Sequence, residues 1–384
     1  MRFQHPDGTT VHLAYCANVH PANDLPGVLA QLDQYAAPIR EQLGTDRLGV
    51  GLWLAREVAS ELVEDPSALA RLRHKLTVRG LEVVTLNGFP YTGFGDPVVK
   101  HKVYRPDWSE PERLAYTLDL ARILAEFLPD DAARGSISTL PLGWRTRLDE
   151  PGWYDAVARN IASLDQALAS LSGAIGRPIR VAFEPEPGCV VESTDEAVEH
   201  VGRFASEHVG LCLDACHLAV AHESPSATLA SLAGSGIEVV KLQASAALTA
   251  EDPRSPETAD ALAAYAEPRF LHQTREAADD GVRGTDDLPE ASADLPGDEA
   301  WRVHFHVPLH REIPSPLGTT VPVLSQTLEA LFGGPRALTD HIEVETYTWP
   351  VLPDSADLDL PAAIAGELAW TSRALTSLGL KEIS

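Results

Sequence analysis

Short strand-like runs alternate with longer segments of helical periodicity along nearly the whole chain, and this alternation restricts the fold more than any other feature. The runs are HLAYCANVH at 12–20, RLGVGLWL at 47–54, LEVVTLNGF at 81–89, GSISTLPL at 135–142, IRVAFEPEP at 179–187, VGLCLDACH at 209–217, IEVVKLQAS at 237–245, WRVHFHVPL at 301–309 and HIEVETYTW at 341–349. Between them, apolar residues recur at helical spacing over 26–43, 67–79, 110–128, 153–172, 195–207, 321–332 and 361–378, as in Leu114, Leu118, Ile123 and Phe127. Ser109 ahead of Glu112 and Ser193 ahead of Glu196 read as helix N-caps with an acid in the first turn. Such alternation predicts a parallel α/β sheet, and about eight units predict its closure into a (β/α)8 barrel, here a single domain over 1–384. The rival, an open doubly wound sheet, lacks a glycine-rich phosphate loop after the first strand.

One run is surplus to a barrel. Residues 246–300 are rich in Ala, Asp, Pro and Glu and read as a long solvated insertion between the late strands, with a lid over the barrel mouth as the functional alternative. WRVHFHVPL then either serves as the seventh strand or extends it.

The chain carries 56 acidic and 30 basic residues, a net charge of −26. A field of that sign repels phosphate backbones and anionic bilayers, so nucleic acid is excluded as the expected partner. No stretch approaches the roughly 20 apolar residues needed to cross a bilayer, so the chain is not expected to be an integral membrane protein. The start, MRFQHPDGTTVHL, has no charged segment leading into an apolar one, and a cytoplasmic location is expected. Cys16, Cys189, Cys212 and Cys216 form no zinc-type CxxC pair and read as small buried thiols.

Chemistry gathers at the ends of the runs. Strand alternation sets Asp214 opposite Leu211 and Leu213, with His217 three residues beyond it. It sets Glu184 and Glu186 opposite Val181 and Phe183, and Glu343, Glu345 and Tyr347 opposite Ile342 and Val344. His304 and His306 fall opposite Val303, Phe305 and Val307, while Asn18 and Asn87 end the first and third runs. Acids converging in one cavity repel one another unless a cation neutralises them or protons are retained. Mixed carboxylate and imidazole donors suit Mn²⁺, Zn²⁺ or Co²⁺ better than Ca²⁺. Each signal also has a purely structural alternative: hydrogen-bonded strand ends for Asp214 and His217, salt-bridge acceptors for Glu184 and Glu186, a packed wall for His304 and His306. In KHKVYRPDW at 100–108, Arg105 stands among Lys100, His101 and Lys102 as a candidate holder of a phosphate or carboxylate, with solvated loop charge as the alternative.

GLCLDACH resembles the sixth-strand motif of the xylose isomerase-like TIM barrels, a superfamily of sugar isomerases, ketose 3-epimerases and endonuclease IV. The resemblance implies metal ligation by Glu184, Asp214 and Glu345, and a substrate- or metal-binding role for His217. Where that superfamily draws a histidine from strand seven, IEVVKLQAS offers Lys241 and Gln243, and His304 or His306 is the candidate replacement. The segments TLNGFPY, VYRPDW, LDACH, FLHQT, RVHFHVP and VETYTWPVLP resemble the EboE family, metabolite traffic proteins of ebo gene clusters. That resemblance implies trafficking or processing of a small secondary-metabolite precursor, with other ebo-cluster proteins as partners.

Two classes of function follow. In a metal-dependent isomerase or epimerase, Glu184 and Glu345 serve as ligands and proton-transfer groups and His217 orients a hydroxyl, with Asn18, Asn87, Glu186, Lys241, Gln243 and Arg105 as candidate substrate contacts. In a non-catalytic carrier, the pocket is kept and turnover is lost, and Lys241 could stand in for the cation. An endonuclease IV-like hydrolase ranks third because of the acidic surface.

Overall fold

The computed structural model describes residues 1–279 and 281–383. Its core is a closed ring of parallel strands: β1 (Thr10–Cys16), β2 (Leu48–Trp53), β3 (Thr85–Asn87), β4 (Gly135–Thr139), β5 (Ile179–Phe183), β6 (Val209–Asp214), β7 (Val239–Ala244) and β8 (His341–Val344). Each pairs with the next, and β8 pairs with β1 with Glu343 opposite Ala14, which closes the barrel. The expected α/β barrel is therefore the observed fold. Helices such as Pro111–Phe127, Trp153–Ile175, Val321–Phe332 and Leu360–Ser377 cover it. On Pro111–Phe127 the buried face is Tyr116, Leu120, Ile123, Leu124 and Phe127, with Leu114 and Leu118 at its edge.

Local signals fared unevenly. Ser193 and Glu196 form a reciprocal capping box. Ser109 does not cap; Glu110 occupies the N-cap position, and the Ser109 hydroxyl is spent on Asp107. The run at 81–89 is broken into Leu81–Glu82 and Thr85–Asn87. The helix expected at 195–207 is only a turn, Thr194–Glu196, continued by the π-helical Ala197–Val201.

The late insertion is folded, which corrects the reading of 246–300 as a solvated excursion. It forms an antiparallel sheet in the order Gly281–Thr285, Thr274–Ala278, Trp301–His306, Ala247–Ala250, Leu317–Thr319. WRVHFHVPL is the centre of that sheet and not the seventh barrel strand, which is β7. Alternation alone could not tell these apart, because Trp301, Val303 and Phe305 would be buried on one face in either setting. Most of the insertion's charged residues lie in the turns and short helices between the strands, as Glu251, Asp252, Glu257, Asp260, Glu290, Asp298 and Glu299 do, and are exposed there. Among the described residues, no helix is long and apolar enough to cross a membrane.

At the N-terminal end of the barrel, Arg2–Gln4 pairs antiparallel with both β1 and Lys381–Ile383. This places Arg2 over Glu82, which also receives His12 Nδ1 at 2.8 Å and Arg47 at 3.2 Å. Burial works to raise the Glu82 pKa, but hydrogen bonds from His12 and Arg2 outweigh it and hold it at about 2. A carboxylate depressed from 4.5 contributes stability above its unfolded pKa and loses it as pH falls through the folded value. Glu82→Gln is therefore expected to cost about 3 kcal/mol at neutral pH in urea unfolding, by leaving Arg2 and His12 underpartnered. The same variant should lose less stability than the parent between about pH 4.5 and 2.

Candidate metal centre

Because the strands are parallel, their C-terminal ends share one rim, and the residues that end them face one cavity. Glu184 follows β5, Asp214 ends β6 and Glu345 follows β8, and one oxygen from each lies within 4.8 Å of the others. All three are buried.

Asp214 sits where strand becomes helix and does two jobs. Its Oδ1 caps Ala215–Val220 by accepting the His217 N–H at 2.9 Å and also takes the Ser245 hydroxyl at 2.7 Å. Its Oδ2 is buried without a partner, as is Glu184 Oε2. Glu345 Oε1 accepts the amides of Asn18 at 2.6 Å and Asn87 at 3.0 Å, so the ends of β1 and β3 steady it. Buried acceptors left open on adjoining carboxylates are the donor set a divalent cation needs.

The imidazoles face the same cavity, each anchored through Nδ1. His217 Nδ1 lies 2.7 Å from the Pro185 carbonyl, and His306 Nδ1 lies 2.7 Å from the Glu345 carbonyl, so both donate there. His304 Nδ1 donates to Gln273 Oε1 at 2.7 Å, since the Gln273 amide donates to Tyr104 and the Pro187 carbonyl. All three Nε2 atoms are thereby turned inward, the orientation that backbone and side-chain partners impose on metal-binding histidines. His306 Nε2 has no partner, while His217 Nε2 lies 3.0 Å from His304 Nε2 and 3.1 Å from Glu186 Oε2. Further donor groupings are Asp214, His217 and His306; Glu186, His217 and His304; and Cys216, His304 and His306. The last two histidines reach the cavity from the insertion sheet rather than from the barrel.

Electrostatics records the crowding. Burial, then repulsion from Glu345 and Asp214, pushes Glu184 well above the carboxylate range. Burial, then Asp214 and Glu343, raises Glu345. Burial lifts Glu186 to about 7 against the attraction of His217. Burial would lower His217, but Asp214, Glu186 and Glu345 together raise it. Burial keeps His304 and His306 neutral, the latter at about 4.

Other expected contacts lie elsewhere. Lys241 is fully buried inside the barrel and ion-paired with Glu343, not with the three acids. The space for that pair is made by Gly51, where a Cβ would stand 1.4 Å from Glu343 Oε1. Gln243 is in register with Asp214, and both of its amide atoms are buried without partners. Arg105 is half exposed and pairs with Glu110 at 3.0 Å and Asp107 at 3.6 Å, away from the cleft. Ser245, Tyr104, Gln273 and Tyr347 were not singled out as site residues, except that Tyr347 shares the face of Glu345. Gln273 lies in FLHQT, but only the antiparallel sheet places it behind His304.

A closed α/β barrel with a polar, metal-competent rim defines the class. Residues 49–274 match the family model described as xylose isomerase-like TIM barrel, and the chain belongs to that family. Among solved structures, it is similar to an L-ribulose 3-epimerase at 12% identity, with a TM-score of 0.50 and 96% of each chain covered. It is also similar to the D-psicose 3-epimerase of Clostridium cellulolyticum H10, solved with D-tagatose, at 14% identity and a TM-score of 0.51, covering 95% of this chain and 99% of that one. These similarities establish the fold alone. No curated protein sequence matches.

Two outcomes are expected. Mn²⁺, Zn²⁺ or Co²⁺ added to chelator-stripped protein should raise the unfolding temperature with ion concentration, as for any ligand selective for the native state. Asp214→Ala should abolish that shift in differential scanning fluorimetry. Second, a buried acid raised from 4.5 to about 7, as Glu186 is, contributes stability at low pH and loses it as pH rises through the folded value. The metal-free protein should therefore melt at lower temperature as pH is raised from about 5 to 8, and Glu186→Gln should flatten that slope.

Proposed function

We propose that this protein is a metal-dependent isomerase or epimerase acting on a small hydroxylated metabolite. The observation that carries the reading is the group of three buried carboxylates at the barrel rim, with open oxygens on Glu184 and Asp214 and, among the described residues, no side-chain ammonium paired with them. Glu184, Asp214 and Glu345 would hold the ion, with His306 or His304 completing the donor set from the insertion. When bound, a divalent cation polarises a carbonyl or hydroxyl oxygen of the substrate.

The chain's own groups then divide the work. Glu345 is braced by Asn18 and Asn87, which fix its position. Glu184 would give one oxygen to the ion and keep the other to take and return a proton beside a carbonyl. His217, held through Nδ1 by the Pro185 carbonyl, has its Nε2 turned into the cavity, where it can orient a substrate oxygen. The six segments resembling the EboE family support a place in the handling of a secondary-metabolite precursor, alongside other ebo-cluster proteins.

The carrier alternative would gain if the Lys241 ammonium replaced the cation, and its pairing with Glu343 removes that support. The decisive assay is solvent exchange: Mn²⁺-loaded protein is incubated in D₂O with a panel of hydroxyketones and followed by NMR. Deuterium should enter the C–H next to the carbonyl of at least one compound, and Glu184→Gln should slow entry by about 100-fold or more. Metal-loaded protein that binds these compounds without exchanging any C–H would establish the carrier instead.

A further inference from the structure

The cleft above the carboxylates is two-ended. Its floor is Glu184, Glu186, Glu345 and the three imidazoles, whereas its wall is Phe89, Phe94, Val99, Val103, Phe270 and Leu271. Its empty volume, open mouth included, is about 520 Å³. The wall is organised: Phe94 stacks edgewise or tilted on Phe270 at 5.2 Å and on Tyr347 at 5.5 Å, and Phe270 meets Tyr347 at 4.9 Å. Tyr347 in turn lies 4.7 Å from His306, so the aromatic surface begins where the imidazoles end. The Val99 and Lys100 N–H groups donate to the Arg269 carbonyl at 2.8 and 3.0 Å, which clasps the segment after β3 to the insertion. Of the polar side chains beside the wall, Lys100 is spent on Asp287 and Tyr104 on Glu186, which leaves the Tyr347 hydroxyl.

A free sugar carries hydroxyls over its whole length. Seated here, most of those beside the wall would lose water without gaining a partner, which costs more than the contact returns. We propose that the substrate is an amphiphile, a hydroxylated head at the carboxylate and imidazole end joined to an apolar chain or ring lying along Phe94, Phe270 and Leu271. The identity of the head rests on the isomerase or epimerase reading; the apolar part rests on the wall.

The test uses 1,2-alkanediols of four to ten carbons, with D-fructose as the fully hydroxylated comparison, titrated by calorimetry into the full-length protein with and without Mn²⁺. Affinity should rise about fourfold for each methylene buried until the wall is filled, and the long diols should bind at least tenfold more tightly than fructose. Phe270→Ser and, separately, Leu271→Asn should flatten the chain-length dependence, with circular dichroism reporting the fold of each. A chain-length dependence that persists without any Mn²⁺ effect supports the apolar subsite while removing the metal-enzyme reading. Affinity independent of chain length, absence of diol binding, fructose binding as tightly as the long diols, or a dependence unchanged in both folded variants would overturn the proposal.

Discussion

Like charges held together out of water govern this structure. A parallel barrel delivers every strand end to one rim, so acids that end or follow different strands must meet there. Glu184, Asp214 and Glu345 do meet, in a cavity where each ionised carboxylate raises the cost of the next. The buried Lys241 ammonium is not available to them. Lys241 is balanced by Glu343 inside the barrel, and Gly51 leaves the space that this pair fills. The interior thus has a charge-balanced section beneath a rim whose carboxylates oppose one another's ionisation, and that conflict is what the proposed cation would relieve.

The insertion changes what the rim can do. A barrel strand at position seven that ends in Lys241, Gln243 and Ser245 offers no imidazole. The antiparallel sheet supplies two, His304 and His306, and fixes their tautomers through Gln273 and the Glu345 carbonyl. It also contributes Phe270 and Leu271 to the cleft wall. One excursion from the barrel therefore furnishes both inward-facing imidazoles and an apolar surface, so the proposed donor set and the proposed apolar subsite come from the same piece of chain.

Much of this is legible in the sequence. Alternating β and α periods imply closure, and period-two alternation put Glu184, Asp214 and Glu345 on inward faces because their apolar neighbours had to face the helices. The Asp214 to His217 spacing was readable as a strand end, although its capping bond was not. What escaped depended on non-local pairing. The sequence 301–309 has the alternation of a barrel strand and of a half-buried antiparallel strand alike, so its sheet was ambiguous. The polar composition of 246–300 concealed a folded sheet because its charges lie largely in the exposed turns and short helices between the strands. Lys241 was recognisable as an oddity in a buried run, but its choice of Glu343 over the rim acids is a matter of depth in the barrel, which pattern alone does not encode. Arg105 was chosen for its charge, and local acids, Glu110 and Asp107, had already claimed it.

The central claim is that the rim carboxylates exchange retained protons for a divalent cation. Calorimetric titration of chelator-stripped protein with Mn²⁺ at pH 6.5, repeated in two buffers of different ionisation enthalpy, counts the protons released per ion bound. The account predicts saturable binding with net release of protons, because carboxylates held partly neutral by burial and mutual repulsion must ionise to ligate. Absence of saturable binding, or binding with the same heat in both buffers, would contradict it.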